Sequence, residues 1–128
     1  MTRTVVSSPL VPSSGKPYSP AIRHDHTLYV SGQVALEAGE LAVEGGIEPQ
    51  TRRVLDNLRA LLEAGGSSMR SVLKTTCFLV DIGDAPRFNE IYRDYFPTDP
   101  PARSTIAVAA LSPGYLVEVE AIAAVERP

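Results

Sequence analysis

Two apolar segments near the end of the chain set its expected architecture. The first runs from Ser104 to Leu111 and the second from Leu116 to Val125, and both contain the residue types that favour strands. Ser112-Pro113-Gly114, which separates them, has the composition of a turn. The pattern predicts two strands joined by a hairpin-like connection.

The second of these segments has two different faces. Positions 117, 119, 121, 123 and 125 hold valine or alanine, and the positions between them hold Leu116, Glu118, Glu120, Ile122 and Ala124. Alternate side chains of a strand point to opposite sides, so the first set predicts a core face. The second set ends in apolar residues that the helices of a 128-residue chain can hardly cover. We expect a second copy of the chain to cover it.

Arg103 and Glu118 bring opposite charges into this apolar region. Arg103 stands at the start of the first predicted strand, and Glu118 lies early in the second. Antiparallel pairing through a short connection would put the start of the first strand beside the end of the second, away from Glu118. A site that uses both residues therefore points to two subunits.

The N-terminal third predicts short strands and one long loop. Thr4 to Val6 is a candidate strand, and the prolines and glycine of Ser7 to Ser19 predict an irregular loop that contains Tyr18. Thr27 to Ser31 predicts another strand, which Gln33 to Leu36 continues beyond a bend or bulge at Gly32. A turn is expected at Gly39-Glu40.

Two helices and one central strand are predicted in the middle of the chain. From Pro49 to Gly65 the apolar residues follow the helical period, and a second helix is expected from Asp84 to Pro97, with aromatic residues on one face. Ser71 to Ile82 predicts a strand that is apolar on both faces and covered on both sides. This order predicts an α+β fold with both helices on one face of a mixed sheet.

Composition restricts the possible functions. A chain of 128 residues with 44% hydrophobic and 21% charged residues predicts a single domain, residues 1–128. No apolar run could span a membrane, and Met1 to Leu10 lacks a signal-peptide pattern, so we expect a cytoplasmic protein without a membrane partner. The net charge is −3 and basic residues are scattered, which argues against nucleic acid as a partner.

The sequence offers little for metal or nucleophilic chemistry. The two histidines, His24 and His26, have no cysteine or third histidine beside them to complete a metal site. The single Cys77 falls inside an apolar strand, where cysteine is usually a small hydrophobic residue. We expect no metal and no cofactor.

Seven motifs in order resemble the reactive intermediate deaminases, the RidA or YjgF family of small trimeric proteins. They span Pro17 to Val125 and are Pro17-Tyr18-Ser19, Tyr29-Val30-Ser31-Gly32-Gln33, Gln50-Thr51 with Leu55-Asp56-Asn57-Leu58, Lys74 to Asp81, Asn89-Glu90-Ile91-Tyr92, Pro101-Ala102-Arg103-Ser104 and Val117 to Ala123. The resemblance implies a chorismate-mutase-like fold. In that fold three sheets of a homotrimer form a central β-barrel, and three clefts lie between subunits.

The resemblance also implies roles for individual residues. The arginine that matches Arg103 holds the substrate carboxylate, and the glutamate that matches Glu118 acts on the water that attacks an imine carbon. The positions that match Tyr18, Ser31, Gly32 and Asn89 line the cleft. Two departures stand out: Lys16 replaces a glycine before the Pro-Tyr pair, and Thr105 replaces a cysteine, where its backbone carbonyl could still hold a water.

The implied reaction is hydrolysis of a 2-imino acid to a 2-oxo acid and ammonia. Arg103 supplies a planar fork for a carboxylate, and Glu118 is a candidate general base and acid. Three alternatives stay open: a structural ion pair of Arg103 with Glu118 or Glu120 across an interface, a trimer that binds small carboxylates or acts as a regulator or chaperone without catalysis, and a relative that deaminates another enamine, such as aminoacrylate. Glu118 discriminates, because carboxylate binding alone gains nothing from a nearby negative charge.

Overall fold

The structure is a computed structural model that describes residues 2–37 and 41–126. It contains eight strands, β1 (Arg3–Val6), β2 (Ala21–His24), β3 (Thr27–Gln33), β4 (Leu36–Glu37), β5 (Leu41–Ala42), β6 (Val72–Leu79), β7 (Ala102–Ala107) and β8 (Val117–Ala124). The helices are α1 (Ile47–Ala64) and α2 (Ala85–Tyr95), and two short 3₁₀ helices cover Met69–Ser71 and Ile82–Asp84. The turn expected at Gly39-Glu40 lies outside the described residues.

Six strands form one mixed sheet in the order β1-β2-β3-β8-β6-β7, and β4 pairs with β5 separately. Only the β6–β7 pair is parallel; the other pairs of the large sheet are antiparallel. Both helices pack on the same face of this sheet, as the apolar periodicity predicts. The predicted α+β fold is therefore confirmed. None of the helices in the described residues is long and apolar enough to cross a membrane.

The core lies between the sheet and the helices. The valines and alanines predicted for the inner face of β8 are buried from position 117 to position 123, and α1 contributes Val54, Leu55, Leu58, Leu61 and Leu62. Each of these five α1 side chains is fully buried, because the residues recur at helical spacing on one side of α1. The sequence periodicity therefore predicts correctly which sides of α1 and β8 are buried.

The hairpin predicted between the two C-terminal strands is wrong. β7 ends at Ala107 rather than Leu111, and β6 lies between β7 and β8 in the sheet. The chain crosses over β6 between residues 108 and 116, so β7 can pair with β6 in parallel while β8 pairs with its other edge. Turn residues marked a change of direction, but they did not determine which strands become neighbours.

The sheet face that points away from the helices is open. An apolar row crosses four strands there, because Val5 pairs with Ile22, Ile22 with Tyr29, and Tyr29 with Ile122. Val5, Tyr29 and Ile122 are exposed and Ile22 is half-buried. β6 is central, as predicted, but on this face Lys74, Thr76 and Phe78 are only half-covered, so its expected cover on both sides is absent from the single chain.

Candidate functional site

A wide cleft of about 770 Å³ opens beside the first half of β8. Its wall includes Tyr18, Ser31, Gly32 and Glu118, four of the residues to which the sequence assigns a functional role, together with Lys16 and Glu120. The loop before β2, the end of β3 and the start of β8 contribute these side chains. We call this feature the glutamate cleft.

Glu118 is the half-buried carboxylate of the glutamate cleft. Burial raises the pKa of Glu118, because the charged form loses solvation, and the like charge of Glu120 raises the pKa further. Glu120 lies two residues away on the same strand face, at roughly 7 Å, and is exposed. No hydrogen-bond donor in the described residues offsets these effects. A carboxylate with a raised pKa can exchange protons closer to neutral pH than an ordinary glutamate.

Gly32 gives the Glu118 carboxylate its space. The register between β3 and β8 shifts between Val30 and Gln33, so the bulge predicted at this glycine is present. A Cβ atom on Gly32 would overlap the Oε2 atom of Glu118 and approach its Cδ atom to 2.8 Å. Only glycine therefore allows this close contact between the backbone of β3 and the carboxylate.

Ser31 fixes the neighbouring wall of the glutamate cleft. Its hydroxyl donates to the backbone carbonyl of Ser19 at 2.6 Å, and its N–H donates to the carbonyl of Pro20 at 3.0 Å. These two bonds tie the loop that contains Tyr18 to the end of β3. Tyr18 itself is 54% exposed, so it remains accessible from solvent.

A buried glutamine fixes the opposite wall. Gln50 of α1 donates to the carbonyls of Val43 and Gly114 at 3.1 and 2.7 Å, and its Oε1 atom accepts from the N–H of Leu116 at 2.8 Å. The segment before β8 is thereby fastened to the start of α1. Sequence reasoning assigned no role to Gln50, because the partners of its amide come from distant parts of the chain.

Arg103 and Asn89 lie together in a different place. Both line a groove of about 230 Å³ between α2 and β7, which we call the arginine groove; Tyr92 and Arg93 also contribute to it. The guanidinium carbon of Arg103 lies 4.7 Å from the centroid of the Tyr92 ring. No aspartate or glutamate in the described residues forms an ion pair with Arg103. Its N–H donors therefore have no carboxylate partner among the described residues.

Thr105 and Cys77 lie close to Arg103. Thr105 follows Arg103 by two residues on β7 and pairs with Cys77 of β6. The Oδ1 atom of Asn89 is buried but has no hydrogen-bond partner among the described residues, and the buried hydroxyl of Thr105 lies beside the Cys77 thiol. Burial raises the pKa of the Cys77 thiol to about 11. The arginine groove thus combines the Arg103 cation with the side chain of Asn89, whose Oδ1 atom has no partner among the described residues.

The glutamate cleft and the arginine groove are separate in one chain. Arg103 pairs with Thr75 of β6, whereas Glu118 pairs with Phe78 on the other side of that strand. The offset of three residues and two strand spacings separates the two Cα atoms by roughly 14 Å. Because Thr75 and Phe78 are an odd number of residues apart, Arg103 and Glu118 also occupy opposite faces of the sheet. The expected separation of the two residues is present, although the hairpin argument for it was wrong.

Among the described residues, no three histidine, cysteine, aspartate or glutamate side chains are close enough to hold a metal ion. The chemistry that the described groups can perform is carboxylate binding by a guanidinium and proton transfer by a carboxylate with a raised pKa.

The features described define a two-layer α+β protein with a carboxylate in one cleft and an arginine in another. The model of the family described as Endoribonuclease L-PSP matches residues 10–125. The chain therefore belongs to that family, which is the RidA or YjgF family that its motifs resemble.

The similarity to known proteins extends over nearly the whole chain. A mouse protein named 2-iminobutanoate/2-iminopropanoate deaminase is 44% identical over 123 residues, which cover 94% of this chain and 90% of the mouse protein. The human protein of the same name is 40% identical, with coverage of 96% and 90%. The crystal structure of a putative endoribonuclease L-PSP from Entamoeba histolytica is 47% identical, covers 96% of this chain and 99% of its own, and superposes with a TM-score of 0.90.

Proposed function

We propose that this protein hydrolyses 2-imino acids and their enamine tautomers to 2-oxo acids and ammonia. The proposed site forms between two subunits of a homotrimer. Arg103, Asn89 and Thr105 of one subunit bind the substrate, and Glu118, Tyr18, Ser31 and Gly32 of the neighbour complete the site. No cofactor is part of this proposal.

One observation carries this proposal: the two charged groups that the reaction needs are present but lie on opposite faces of the sheet. Arg103 has no ion-pair partner among the described residues, and the pKa of Glu118 is raised rather than lowered, so the two groups do not neutralise each other within the chain. A second subunit that brings its arginine groove to this glutamate cleft would unite them.

The open sheet face supports assembly. The row of Val5, Ile22, Tyr29 and Ile122 presents apolar side chains that the helices of the same chain do not cover. Exposed contiguous apolar surface of this kind usually marks a protein interface. Three copies related by rotation would each cover the face of the next and form three equivalent clefts.

The proposed reaction needs one water and one proton-transfer group. Arg103 binds the carboxylate of the substrate in its iminium form and fixes the C=N carbon near Glu118. Glu118 takes a proton from water while the water oxygen bonds to that carbon and the C=N bond becomes single. Glu118 then returns the proton to nitrogen. The C–N bond breaks as the C=O bond forms, and the hydroxyl proton leaves with the nitrogen as ammonium.

The raised pKa of Glu118 suits both halves of this cycle. A carboxylate that titrates nearer neutral pH is a stronger base than an ordinary glutamate, and its protonated form is still acidic enough to return the proton. The names of the mouse and human relatives describe the same reaction. The family description and the name of the Entamoeba protein instead refer to endoribonuclease. The two carboxylates of the glutamate cleft would repel a phosphate backbone, whereas they would attract the positive charge of the iminium group of a 2-imino acid.

A complementation assay tests the reaction and the shared site together. A pyridoxal-phosphate-dependent dehydratase generates 2-iminobutanoate or 2-iminopropanoate, and ammonia release is followed with and without this protein. Arg103→Lys and Glu118→Gln variants are assayed separately and after joint unfolding and reassembly. Each variant alone should be strongly impaired, whereas a random mixture should restore about a quarter of the sites, those that combine an intact arginine with an intact glutamate.

The outcome separates the alternatives. Failure of the mixture to exceed the sum of its components would contradict a site shared between subunits. A protein that binds 2-oxo acids but accelerates no hydrolysis would be a carboxylate-binding or regulatory trimer. Aminoacrylate supplied as the substrate in the same assay tests the third alternative, a deaminase for another enamine.

A further inference from the structure

The guanidinium of Arg103 rests on an aromatic surface. Its central carbon is 4.7 Å from the centroid of the Tyr92 ring and 5.8 Å from that of Phe88. Both distances fall within the range of about 6 Å over which a cation is attracted to the face of an aromatic ring. Tyr92 is the nearer ring and therefore makes the stronger contact.

The Tyr92 ring is itself held in place. Its hydroxyl hydrogen-bonds the hydroxyl of Thr75 at 2.7 Å, and Thr75 is the β6 residue that pairs with Arg103. On the helix side, the ring packs against Phe96 with their centroids 4.6 Å apart. Tyr92 is 5% exposed and Thr75 is fully buried. The ring is therefore tied to the strand next to the one that carries the arginine.

Holding an arginine by its face differs from holding it by an ion pair. A carboxylate partner would use the N–H donors along the edge of the guanidinium, which are the donors that a substrate carboxylate needs. An aromatic ring that contacts the flat face of the guanidinium leaves these N–H donors available. The described residues provide no ion-pair partner for Arg103, so the contact that restricts its charged group is the face of the Tyr92 ring.

We propose that Tyr92 is a positioning residue that orients the carboxylate-binding fork of Arg103. The proposal rests on the proposed function and assigns the role to the face of the ring, with the hydroxyl serving only to anchor the ring to Thr75. Burial raises the pKa of Tyr92 to about 12, so the ring stays neutral at physiological pH. Tyr92 therefore orients the substrate without exchanging protons.

Three variants separate the ring from the hydroxyl and from the core. Tyr92→Phe retains the ring, Tyr92→Leu removes it, and Tyr95→Leu is a matched control that removes another aromatic ring of α2, which contacts the guanidinium of Arg59 rather than that of Arg103. Tyr92→Leu should raise KM for the imino acid and Kd for a 2-oxo acid by roughly fivefold, the upper end of the range for an exposed cation–π contact. The kcat value should change much less, because Glu118 is untouched. Tyr92→Phe and Tyr95→Leu should remain within about twofold of the wild type.

A double-mutant cycle shows whether Tyr92 acts through Arg103. In an Arg103→Gln background, Tyr92→Leu should leave kcat/KM nearly unchanged, because the guanidinium that the ring orients is gone. An equal loss of kcat/KM in both backgrounds would overturn the proposal. A loss in Tyr92→Phe as large as that in Tyr92→Leu would also overturn it, since the hydroxyl would then be the important group.

Fluorinated phenylalanines at position 92 provide a test that does not depend on the folding of Tyr92→Leu. Successive fluorination weakens the negative face of the ring with little change in shape, so affinity for pyruvate should fall stepwise along the series. A constant affinity would refute the role of the ring face. Pyruvate affinity is measured directly by calorimetry, so the result is informative even if the wild type hydrolyses no imine. In that case the proposed function fails while the orientation of Arg103 by Tyr92 is still decided.

Discussion

The glutamate cleft and the arginine groove place their charges in opposite environments. Glu118 is half-buried beside a second carboxylate, and both effects raise its pKa. Arg103 is exposed and lies over an aromatic ring. The other charged residue that lines the arginine groove is Arg93. Desolvation makes a carboxylate responsive to pH, whereas a guanidinium stays charged at any physiological pH. The Glu118 half of the proposed site is therefore suited to proton transfer, and the Arg103 half is suited to binding a carboxylate at any physiological pH.

The largest expected effect comes from separating the two halves by preventing assembly. Ile122→Arg puts a charge into the apolar row of the open sheet face, where burial against another subunit would leave it unpaired. We expect monomers in light scattering and loss of nearly all imine hydrolysis. Leu10→Arg is the control, because Leu10 is 75% exposed in the loop before β2. A trimeric, active Ile122→Arg variant would contradict the proposed assembly.

Glu118→Gln should have the next largest effect. The change keeps the shape and hydrogen-bonding capacity of the side chain but removes proton transfer, which typically contributes a hundredfold or more to a rate, so kcat should fall by about that factor. Affinity for a 2-oxo acid should be equal or better, since a negative charge near the ligand is removed. The matched control is Glu120→Gln, for which we expect most of the activity to remain. Full deaminase activity in Glu118→Gln would assign the proton transfer to another group, with a water held by the Thr105 carbonyl as the first candidate.

Arg103→Lys tests the other half with a smaller expected change. The charge is kept and the bidentate fork is lost, so binding of a 2-oxo acid should weaken by roughly 1–3 kcal/mol in calorimetry. Arg93→Lys, in the same groove, should bind nearly as tightly as the wild type. If Arg103→Lys binds as well as the wild type and its trimer is less stable, the role of Arg103 is a structural ion pair across the interface.

The smallest effect should appear in the pH dependence. Because the pKa of Glu118 is raised, activity should decline as pH falls through that pKa, earlier than for an ordinary glutamate. Glu120→Gln removes the secondary cause of the shift and leaves burial, so the acid limb of kcat/KM should move to lower pH. If the acid limb of the pH profile does not move, the pKa of Glu118 does not determine its position. Glu90→Gln, a change on the exposed surface of α2, serves as the control.

The helix-covered half of the fold could be predicted because one rule determines it. Apolar residues at helical spacing in α1 and at alternate positions in β8 face the core, and both sets are buried where the periodicity puts them. The bulge at Gly32 was also predictable, because glycine inside a strand has few other uses. Its contact with Glu118 was not, since the contact depends on the register of two strands that are distant in sequence.

Strand order was the feature that local sequence could not determine. The turn composition of residues 112–114 suggested that β7 and β8 pair directly as a hairpin. In the structure each of them pairs with a different edge of β6, because the free energy of the whole sheet decides which edges pair. For the same reason the sequence did not indicate a role for Tyr92, which is one of several aromatic residues on the apolar face of α2. Its position below Arg103 arises only when α2 packs over the β6–β7 pair. The roles of Arg103, Glu118, Tyr18, Ser31, Gly32, Asn89 and Thr105 stay predictions.

The buried thiol of Cys77 has a consequence for chemical durability. Burial raises the pKa of this thiol to about 11, so very little of it is ionised at pH 7, and thiolates rather than thiols attack electrophiles. Imines and enamines that react with nucleophiles would therefore meet an inert sulfur on the strand beside Arg103. Cys77 is the single cysteine of the chain, so no other thiol is exposed to alkylation or oxidation either. A protein of this construction could work among reactive metabolites without being consumed by them.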